Sequence, residues 1–406
     1  MARKLIEIED ARRAVLERVS PLPVEDVPLE QALGRVLAEN VTSADAVPGF
    51  DNSAMDGFAV RAADTGGASA EAPARLRVID ESRAGHPAER SLGAGEAIAI
   101  STGAMVPYGA DAVIRVEDTS SSDGALDVLV EVESGRDIRR AGEDIERGQV
   151  VLTAGAGIGP AELGVLASVG RASVACARRP RAHVLTTGDE LQPPGEDLRP
   201  GGIRNSNAHS IPPLVELAGG ELAGVEMVAD DPVATRDALE RALAADIVIV
   251  CGGVSVGQHD HVRPAFAELG AEEVFWGVAL RPGKPTWFGT REGTLVFGLP
   301  GNPVSAMVTF QLFVRTAIRA LLGARDQTPS TTAILDEDYP KHPGRAHLVR
   351  CRLELHEDGW HARPTGEQGS HVLTSMLDAE ALAVMPTAAE TVRAGERVAI
   401  EMLPRR

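Results

Sequence analysis

The chain has 406 residues, and the usual size of a domain predicts roughly two to four domains. Apolar residues make up 44% and charged residues 24%, which is globular usage and excludes extensive disorder or a fibrous repeat. Lys and Arg number 40 against 59 Asp and Glu, so the formal net charge is -19. A field of that sign repels nucleic acids and anionic lipids, so neither a nucleic acid nor a membrane is an expected partner.

The cysteines and the N-terminal segment bear on the cellular compartment. Cys176, Cys251 and Cys351 lie far apart with no CxxC pair, as expected of buried thiols in a reducing compartment without structural zinc. The N-terminal segment mixes charges with apolar residues at helical spacing, unlike the uninterrupted apolar stretch of a signal peptide. The longest apolar runs are far shorter than the roughly 20 residues that span a bilayer. We therefore expect a cytoplasmic protein without a transmembrane segment.

The N-terminal part of the chain predicts two kinds of structure. Residues 8–19 have helical spacing, a Pro-rich break follows, and 29–33 predict a short helix. From 48 to 140 the pattern changes to short β-like runs separated by Gly and Pro turns. Short strands then flank a helix predicted over 160–169. We expect 1–47 and 141–178 to form one elongated domain in two segments, and 48–140 to form a β-rich domain.

The following stretch, 179–327, alternates strands and helices, which is typical of a doubly wound α/β sheet with helices on both faces. The tail, 328–406, returns to short strands and predicts a small β-barrel or sandwich. The expected fold class is therefore multidomain α/β with β-rich N-terminal modules and a small C-terminal β-barrel. In the α/β stretch the predicted strands are 183–186, 221–228, 247–250, one around Phe275, and 294–297, and the predicted helices are 207–218, 232–244, 262–269 and 303–322.

Three loops leave the carboxyl ends of predicted strands and carry glycine beside polar or acidic groups, at 186–190, 251–260 and 298–305. Glycine lets main-chain amides approach a phosphate, and a helix that begins just beyond supplies a positive dipole. The alternative is that these glycines only form tight turns. Three such loops on one sheet edge favour an anion site. Asn302 followed by Pro303 also fits an N-cap residue with Pro in the first helical turn.

Three acidic residues, Glu190, Asp230 and Asp260, follow successive predicted strands and should converge on the same edge. A single carboxylate after a strand is usually a helix cap or a solvated charge. Several that face a phosphate repel it and one another unless a hard cation such as Mg²⁺ lies between them. Arg281 and Lys284 add two cations, which either pair with these acids or bind an oxyanion, and we favour the oxyanion.

Ten sequence strings occur in an order that resembles the molybdopterin molybdenumtransferase family, the MoeA proteins, and the related C-terminal domain of gephyrin. By physics alone the pairs Asp56-Gly57 and Glu143-Asp144 predict only turns, and it is the resemblance that marks them as functional. The strings extend from Phe50 to His371 and are FDNSAMDG, STGAMVP, GADAVIRVED, RRAGEDI, TTGDEL, IRNSN, CGGVSVGQHD, RPGKP, GLPGNPVSA and TGEQGSH.

The resemblance implies an elongated four-domain homodimer whose α/β domain, of the molybdopterin-binding type, faces the β-rich domain of the other protomer. It implies Mg²⁺-dependent insertion of molybdate into adenylylated molybdopterin with release of AMP, and molybdopterin adenylyltransferase as a candidate partner. Two alternatives stay open: an adenylyltransferase that makes the adenylylated pterin, and a non-catalytic scaffold of the gephyrin type. The N-terminal modules disfavour the first, and the retained acids disfavour the second.

The resemblance also implies roles for individual residues. Arg281 stands where the family usually has Lys, and Gly277 stands where it usually has a basic residue, so one positive contact to an anion is either missing or supplied from elsewhere, with Arg281 as the candidate. The expected metal ligands are Asp230 and Asp260. The expected catalytic residues are Asp56, Thr102, Asp144, Glu190, Asp230 and Asp260, and the expected substrate-binding residues are Gly252, Gly253, Ser255, Arg281, Lys284, Pro300, Gly301, Asn302, Pro303, Arg350 and Ser370.

Overall fold

The computed structural model describes residues 5–122, 125–254, 260–325 and 330–404. Its N-terminal part is built from short strands and two helices, with 3₁₀ turns at Leu29–Gln31, Ala62–Thr65 and Val116–Asp118. The elements are α1 (Ile8–Leu16), β1 (Val24–Pro28), β2 (Val41–Thr42), β3 (Asn52–Ser53), β4 (Gly57–Val60), β5 (Ala74–Ser82), β6 (Glu96–Ile100), β7 (Ala112–Arg115), β8 (Thr119–Ser122), β9 (Ala125–Val128), β10 (Ile138–Arg139), β11 (Val150–Leu152), α2 (Pro160–Ser168) and β12 (Ser173–Ala177).

Two groups of strands organise this part. Strand β1 pairs antiparallel with β12, and β2 pairs with β11, so the chain returns to its starting segment after the intervening strands. The intervening strands form a six-stranded sheet in the order β7-β4-β6-β5-β9-β8, in which only β5 and β6 run parallel. Helix α1 ends at Leu16, three residues before the prediction, and the predicted helix at 29–33 is a single 3₁₀ turn. The Pro-rich segment after α1 explains the early end.

The middle of the chain is an α/β unit whose sheet has the order β16-β13-β17-β21-β20-β18. The first four strands are mutually parallel, and β20 and β18 join antiparallel. The elements are β13 (Arg181–Thr187), β14 (Leu191–Gln192), β15 (Ile203–Arg204), α3 (Asn207–Leu217), β16 (Glu221–Val228), α4 (Pro232–Ala242), β17 (Ile247–Cys251), α5 (Val262–Glu268), β18 (Glu272–Trp276), β19 (Leu280–Arg281), β20 (Trp287–Arg291), β21 (Thr294–Leu299), α6 (Pro303–Thr309) and α7 (Arg315–Leu321).

Helices cover both faces of this sheet, as the alternating pattern predicts. One apolar cluster joins α1, α3, α6 and α7 to one face, and a second joins α4 and α5 to the other. Helices α6 and α7 are continuous through a π-helical turn at Phe310–Val314. By length and composition alone, the segment Pro303–Leu321 could cross a membrane, but most of it is buried inside the structure. It is therefore packed as a core helix.

The C-terminal strands close into a barrel, because β24 pairs with β25, β25 with β22, β22 with β28, β28 with β26, and β26 returns to β24. The predicted fold class is thereby confirmed, and all three cysteines are buried as expected. The predicted domain boundaries stay predictions. The strands are β22 (Ser330–Leu335), β23 (Tyr339–Pro340), β24 (Ala346–His356), β25 (Gly359–Pro364), β26 (Ala381–Met385), β27 (Thr391–Val392) and β28 (Arg397–Met402).

Candidate active site

A cleft of about 450 Å³ lies at the carboxyl edge of the parallel strands, where the loops after β13, β16, β17 and β21 meet. This is the position at which open α/β sheets bind ligands. The residues that line it all come from the α/β unit: Thr187, Gly188, Glu190, Leu191, Ile203, Arg204, Asn205, Ser206, Asn207, Asp230, Cys251, Gly252, Gly253, Val254, Asp260, Pro285, Pro300, Gly301, Asn302 and Pro303.

Two of the predicted glycine loops contact each other in this cleft. The amide of Gly252 donates to the carbonyl of Leu299 at 3.0 Å, and a Cβ placed on Gly301 would lie 3.7 Å from the Cα of Gly252. Gly252 has φ +104, and a Cβ there would lie 2.8 Å from the carbonyl oxygen of Thr187, so only glycine fits. Main chain rather than side chains therefore forms this wall of the cleft, which suits close approach of a phosphate.

The three acids predicted from strand order all line the same cleft, since Glu190, Asp230 and Asp260 follow the neighbouring strands β13, β16 and β17. Asp189, which the sequence interpretation missed, joins two of these loops. The amide of Asp189 donates to Asp230 Oδ2 at 3.3 Å, and the amide of Asp230 donates to Asp189 Oδ1 at 3.1 Å. This reciprocal pair holds the loops after β13 and β16 in register with each other.

The cleft is acidic, and its one lining guanidinium is directed elsewhere. Among the described lining residues Arg204 is the only cation, and it donates to the carbonyls of Pro193, at 2.7 Å, and Glu196. A phosphate in the cleft would lie near these carboxylates, so the donor set fits a hard divalent cation that carboxylates share with a phosphate. No group of three or more His, Cys, Asp or Glu within the described ranges could hold a metal ion by itself. Mg²⁺ commonly takes only one or two carboxylates besides phosphate and water.

Two further polar residues belong to the cleft although no argument from residue type singled them out. Asn207, at the start of α3, donates from Nδ2 to the carbonyl of Gly301 at 2.8 Å and so fixes the second glycine loop. Its Oδ1 and the Thr187 hydroxyl are buried and have no hydrogen-bond partner in the described part of the chain. The sequence did indicate Asn207 in one way, because the string IRNSN, which contributes to the family resemblance, ends at this residue.

Arg281 does not line the acidic cleft but a second cavity, of about 510 Å³, at the junction with the barrel. Strand β19 pairs parallel with β24 there, and Arg281 is the register partner of His347. Burial and the surrounding cations, Arg281 first among them, lower the pKa of His347 to about 4, so the imidazole is neutral at pH 7. Lys284 is exposed and is in neither lining set. The second cavity is lined by Arg281, Tyr339, Pro340, Lys341, His342, His347, Glu367, Gln368 and Gly369.

Arg350 is fully buried, with a relative exposure of 0%. Its guanidinium donates to the carbonyls of Glu367, Gln368 and Gly369 at 3.1–3.3 Å, and its Nε donates to the Ser375 hydroxyl at 3.1 Å. Ser370, which follows Gly369 in this loop, accepts a hydrogen bond from Asn302 Nδ2 at 3.0 Å. Arg350 thus holds the loop that carries Ser370, and Ser370 contacts the rim of the acidic cleft.

The N-terminal candidates lie elsewhere in the chain. Asp56, Thr102 and Asp144 are exposed on the N-terminal modules, and none of them is in the lining set of the acidic cleft. The Thr102 amide donates to Asp56 Oδ1 at 2.7 Å, so these two form one local group. Ser255 lies outside the described residues. Within one chain, the structure therefore brings together the acids and glycine loops of the α/β unit, but neither its two cations, Arg281 and Lys284, nor the N-terminal candidates.

Gly277 has a backbone reason to be glycine. Its φ is +85, in the left-handed region that L side chains rarely adopt, and a Cβ there would lie 2.9 Å from Leu5 Cδ2. Its amide donates to the carbonyl of Thr286 at 2.9 Å, which closes the loop that carries Arg281 and Lys284. A basic side chain at position 277 would therefore require the backbone and Leu5 to move.

Family models match nearly the whole chain. The MoeA N-terminal region (domain I and II) matches residues 6–170, the probable molybdopterin binding domain 183–320, and the MoeA C-terminal region (domain IV) 332–403. Proteins named molybdopterin molybdenumtransferase from Haemophilus influenzae and Bacillus subtilis are 37% and 36% identical, over 98% of this chain and 98% and 94% of theirs. The crystal structure of a molybdopterin biosynthesis moeA protein from Pyrococcus horikoshii aligns with TM-score 0.84 at 33% identity, covering 98% of this chain and 100% of that one.

Proposed function

Since the chain belongs to the molybdopterin molybdenumtransferase (MoeA) family, enzymes of molybdenum cofactor biosynthesis, we propose that it inserts molybdate into adenylylated molybdopterin with Mg²⁺ and releases AMP. One observation carries this proposal: two glycine loops in mutual contact and three carboxylates line a single cleft at the carboxyl edge of the sheet. That combination suits a phosphorylated ligand whose charge a divalent cation shares.

Asp230 and Asp260 are the residues that would hold Mg²⁺, which when bound would supply positive charge to the phosphoanhydride. The glycine loops at Gly252 and Gly301 would hold the adenylyl phosphate through main-chain amides. Glu190 is exposed at the mouth of the cleft, where its carboxyl group would deliver the protons that departing molybdate oxygens require. In this division of roles the glycine loops would bind the phosphate, and the acids would bind the cation and transfer protons.

Molybdate, a tetrahedral dianion, would be held outside the acidic carboxylates, by Arg281 and Lys284 with Ser370. Both cations are exposed, and neither forms a salt bridge with any carboxylate that the structure describes. The planar guanidinium of Arg281 can hold two oxygens of an oxyanion at once. Arg350 is too deeply buried to contact a ligand without rearrangement, so its contribution would pass through the 367–370 loop.

We further propose that the working form is a homodimer in which Asp56, Thr102 and Asp144 of one protomer complete the cleft of the other. All three are exposed and lie away from the cleft of their own chain, so a second copy is the simplest source of these groups at the site. We also propose that a molybdopterin adenylyltransferase binds this protein transiently and delivers the adenylylated pterin to it.

Reconstitution tests this function directly. The protein, adenylylated molybdopterin, molybdate and Mg²⁺ should together release AMP and form active molybdenum cofactor, measured by chromatography and by activation of a cofactor-free molybdoenzyme. Omitting molybdate or chelating Mg²⁺ should stop both products. A parallel reaction with molybdopterin and Mg-ATP distinguishes the rival activity, because adenylylated pterin formed there without molybdate would assign an adenylyltransferase instead.

A further inference from the structure

Two adjacent acids after β13 have different surroundings. The Leu191 amide donates to the Gly188 carbonyl at 3.2 Å, which closes a tight turn. Asp189 and Glu190 are the two central residues of this turn. Glu190 lines the acidic cleft, whereas Asp189 is exposed and bonds to Asp230 on the loop after β16. The turn therefore directs one acid to the cleft and the other to a proposed metal ligand.

The contact with Asp189 fixes both the carboxylate and the main chain of Asp230. The Asp189 amide donates to Asp230 Oδ2 at 3.3 Å, which sets the direction of the Asp230 carboxylate. Asp189 Oδ1 accepts from the Asp230 amide at 3.1 Å, which sets the position of the Asp230 main chain. Within the described residues, the Asp230 carboxylate has no other hydrogen bond and no ion pair. Its second oxygen, Oδ1, is therefore left for a cation in the cleft that Asp230 lines.

The side chain of Asp189 fixes Asp230 without being needed for the sheet. Strands β13 and β16 pair in parallel as far as Thr187 and Val228, before either acid is reached. The next acid along the chain, Asp231, is engaged differently, since its carboxylate accepts from an amide in the first turn of α4 at 2.8 Å and caps that helix. Removal of the Asp189 side chain should therefore loosen Asp230 while the sheet and α4 stay intact.

We propose that Asp189 is a positioning residue for the divalent cation, because it holds Asp230 with one carboxylate oxygen left for Mg²⁺ and does not itself line the cleft. This rests on the proposed function, in which Asp230 and Asp260 hold Mg²⁺. Partners that orient a metal ligand typically change metal affinity or activity roughly 10- to 100-fold when they are removed. Asp189 is exposed and water can replace its oxygen, so we expect the lower end of that range.

The test compares Asp189→Ala with Asp189→Asn in the full-length protein. Calorimetric titration of Mg²⁺ in the presence of AMP should show about tenfold weaker binding for Asp189→Ala. Asp189→Asn keeps an oxygen that accepts from the Asp230 amide, so its Mg²⁺ affinity should match that of the original protein. At saturating Mg²⁺, the maximal rate of molybdenum insertion by Asp189→Ala should also match the original, because Asp189 acts only through the metal ligand.

Hydrogen exchange tests the same contact without metal or nucleotide. In peptides that contain residue 230, the Asp230 amide should exchange faster in Asp189→Ala and at the original rate in Asp189→Asn, measured by mass spectrometry. Asp197→Ala is the matched control, because Asp197 is an exposed acid in the same connection between β13 and α3 and does not line the cleft. Its Mg²⁺ affinity and its exchange at residue 230 should be unchanged.

Two results would overturn the proposal. If Asp189→Ala binds Mg²⁺ as well as the original protein, then Asp189 does not position a metal ligand, whatever happens to hydrogen exchange. If Asp189→Asn binds Mg²⁺ as weakly as Asp189→Ala, then the negative charge of Asp189 acts on the metal directly. The proposed function fails in a different way, because an original protein that binds AMP and inserts molybdate without any divalent cation would remove the metal before a substitution is made.

Discussion

The acidic cleft of the α/β unit and the cavity at its junction with the barrel differ in charge and in construction. The cleft at the carboxyl edge of the sheet collects Glu190, Asp230 and Asp260 on loops after adjacent parallel strands. The cavity at the junction with the barrel contains Arg281 and a His347 that its surroundings keep neutral. Arg281 and the three carboxylates thus line separate cavities, although all four residues belong to the α/β unit. Under the proposed function, this separation would keep the guanidinium that binds molybdate from neutralising the carboxylates that bind Mg²⁺.

The largest expected effect comes from removing a carboxylate from the acidic cleft. Asp260→Asn should lower molybdenum insertion on the order of 100-fold or more, because it removes a proposed Mg²⁺ ligand while keeping side-chain volume. Asp230→Asn should act similarly, and the pair should cost little more than either alone if both hold one ion. Activity and Mg²⁺ dependence are the measurements.

Asp237→Asn is the control for that experiment, because Asp237 is an exposed acid on α4 that pairs with Arg236 outside the cleft. Its activity should match that of the original protein. A folded Asp260→Asn variant with normal turnover would remove the metal role from this cleft.

In the proposed homodimer, Asp56 of one protomer completes the acidic cleft of the other. Mixing Asp56→Ala with Asp260→Ala protomers should restore activity to about a quarter of the original level. Random exchange makes half of the dimers hybrid, and each hybrid has one intact site of two. The measurement is insertion activity after subunit exchange verified by mass spectrometry. Two inactive parents that exchange fully without recovery would place the whole site in one protomer.

The sequence predicted the acidic cleft well and the division between the two cavities poorly. Glu190, Asp230 and Asp260 could be placed together because the carboxyl ends of parallel strands share an edge, whatever the details of packing. Arg281 could not be placed, because its position depends on the pairing of β19 with β24, whose partner residues are 66 positions apart in the register Arg281 to His347. Asn207 was missed because an unpartnered oxygen is visible only in three dimensions.

The cationic cavity should make stability depend on pH. The folded-state pKa of His347 is about 4, below the unfolded value near 6.5, so the unfolded chain takes up a proton first as pH falls. The His347 contribution to folding is therefore complete above pH 6.5 and is lost between pH 6.5 and 4. It should amount to about 2 kcal/mol between pH 7.5 and pH 5. Between pH 7.5 and pH 5, the free energy of unfolding of His347→Gln, measured with urea, should therefore fall by about 2 kcal/mol less than that of the original protein.

His361 provides the control of opposite sign. Asp336 and Asp358 hydrogen-bond its ring and raise the pKa of the imidazole, so its stabilising contribution is present at low pH and is lost as pH rises through the folded pKa. His361→Gln should therefore increase the loss of stability on acidification. An unchanged pH profile for His347→Gln would mean that water reaches the cavity and that its cations are screened.

The smallest expected effect is on molybdate affinity, and it tests which ligand binds in which cavity. Arg281→Ala should weaken molybdate binding about fivefold, the factor for roughly 1 kcal/mol of one exposed charge contact, and should leave AMP affinity unchanged. The reason is spatial: Arg281 lines the cavity at the barrel junction, whereas the loops proposed for the phosphate line the acidic cleft. Molybdate titration against activity and AMP calorimetry give the two affinities. Arg291→Ala is the matched control for the loss of one positive charge, because Arg291 is the last residue of β20, pairs with Thr294 of β21 and lines neither cavity. If Arg281→Ala instead weakens AMP and spares molybdate, then the guanidinium serves the nucleotide, and the two cavities form one continuous phosphate site in the working enzyme.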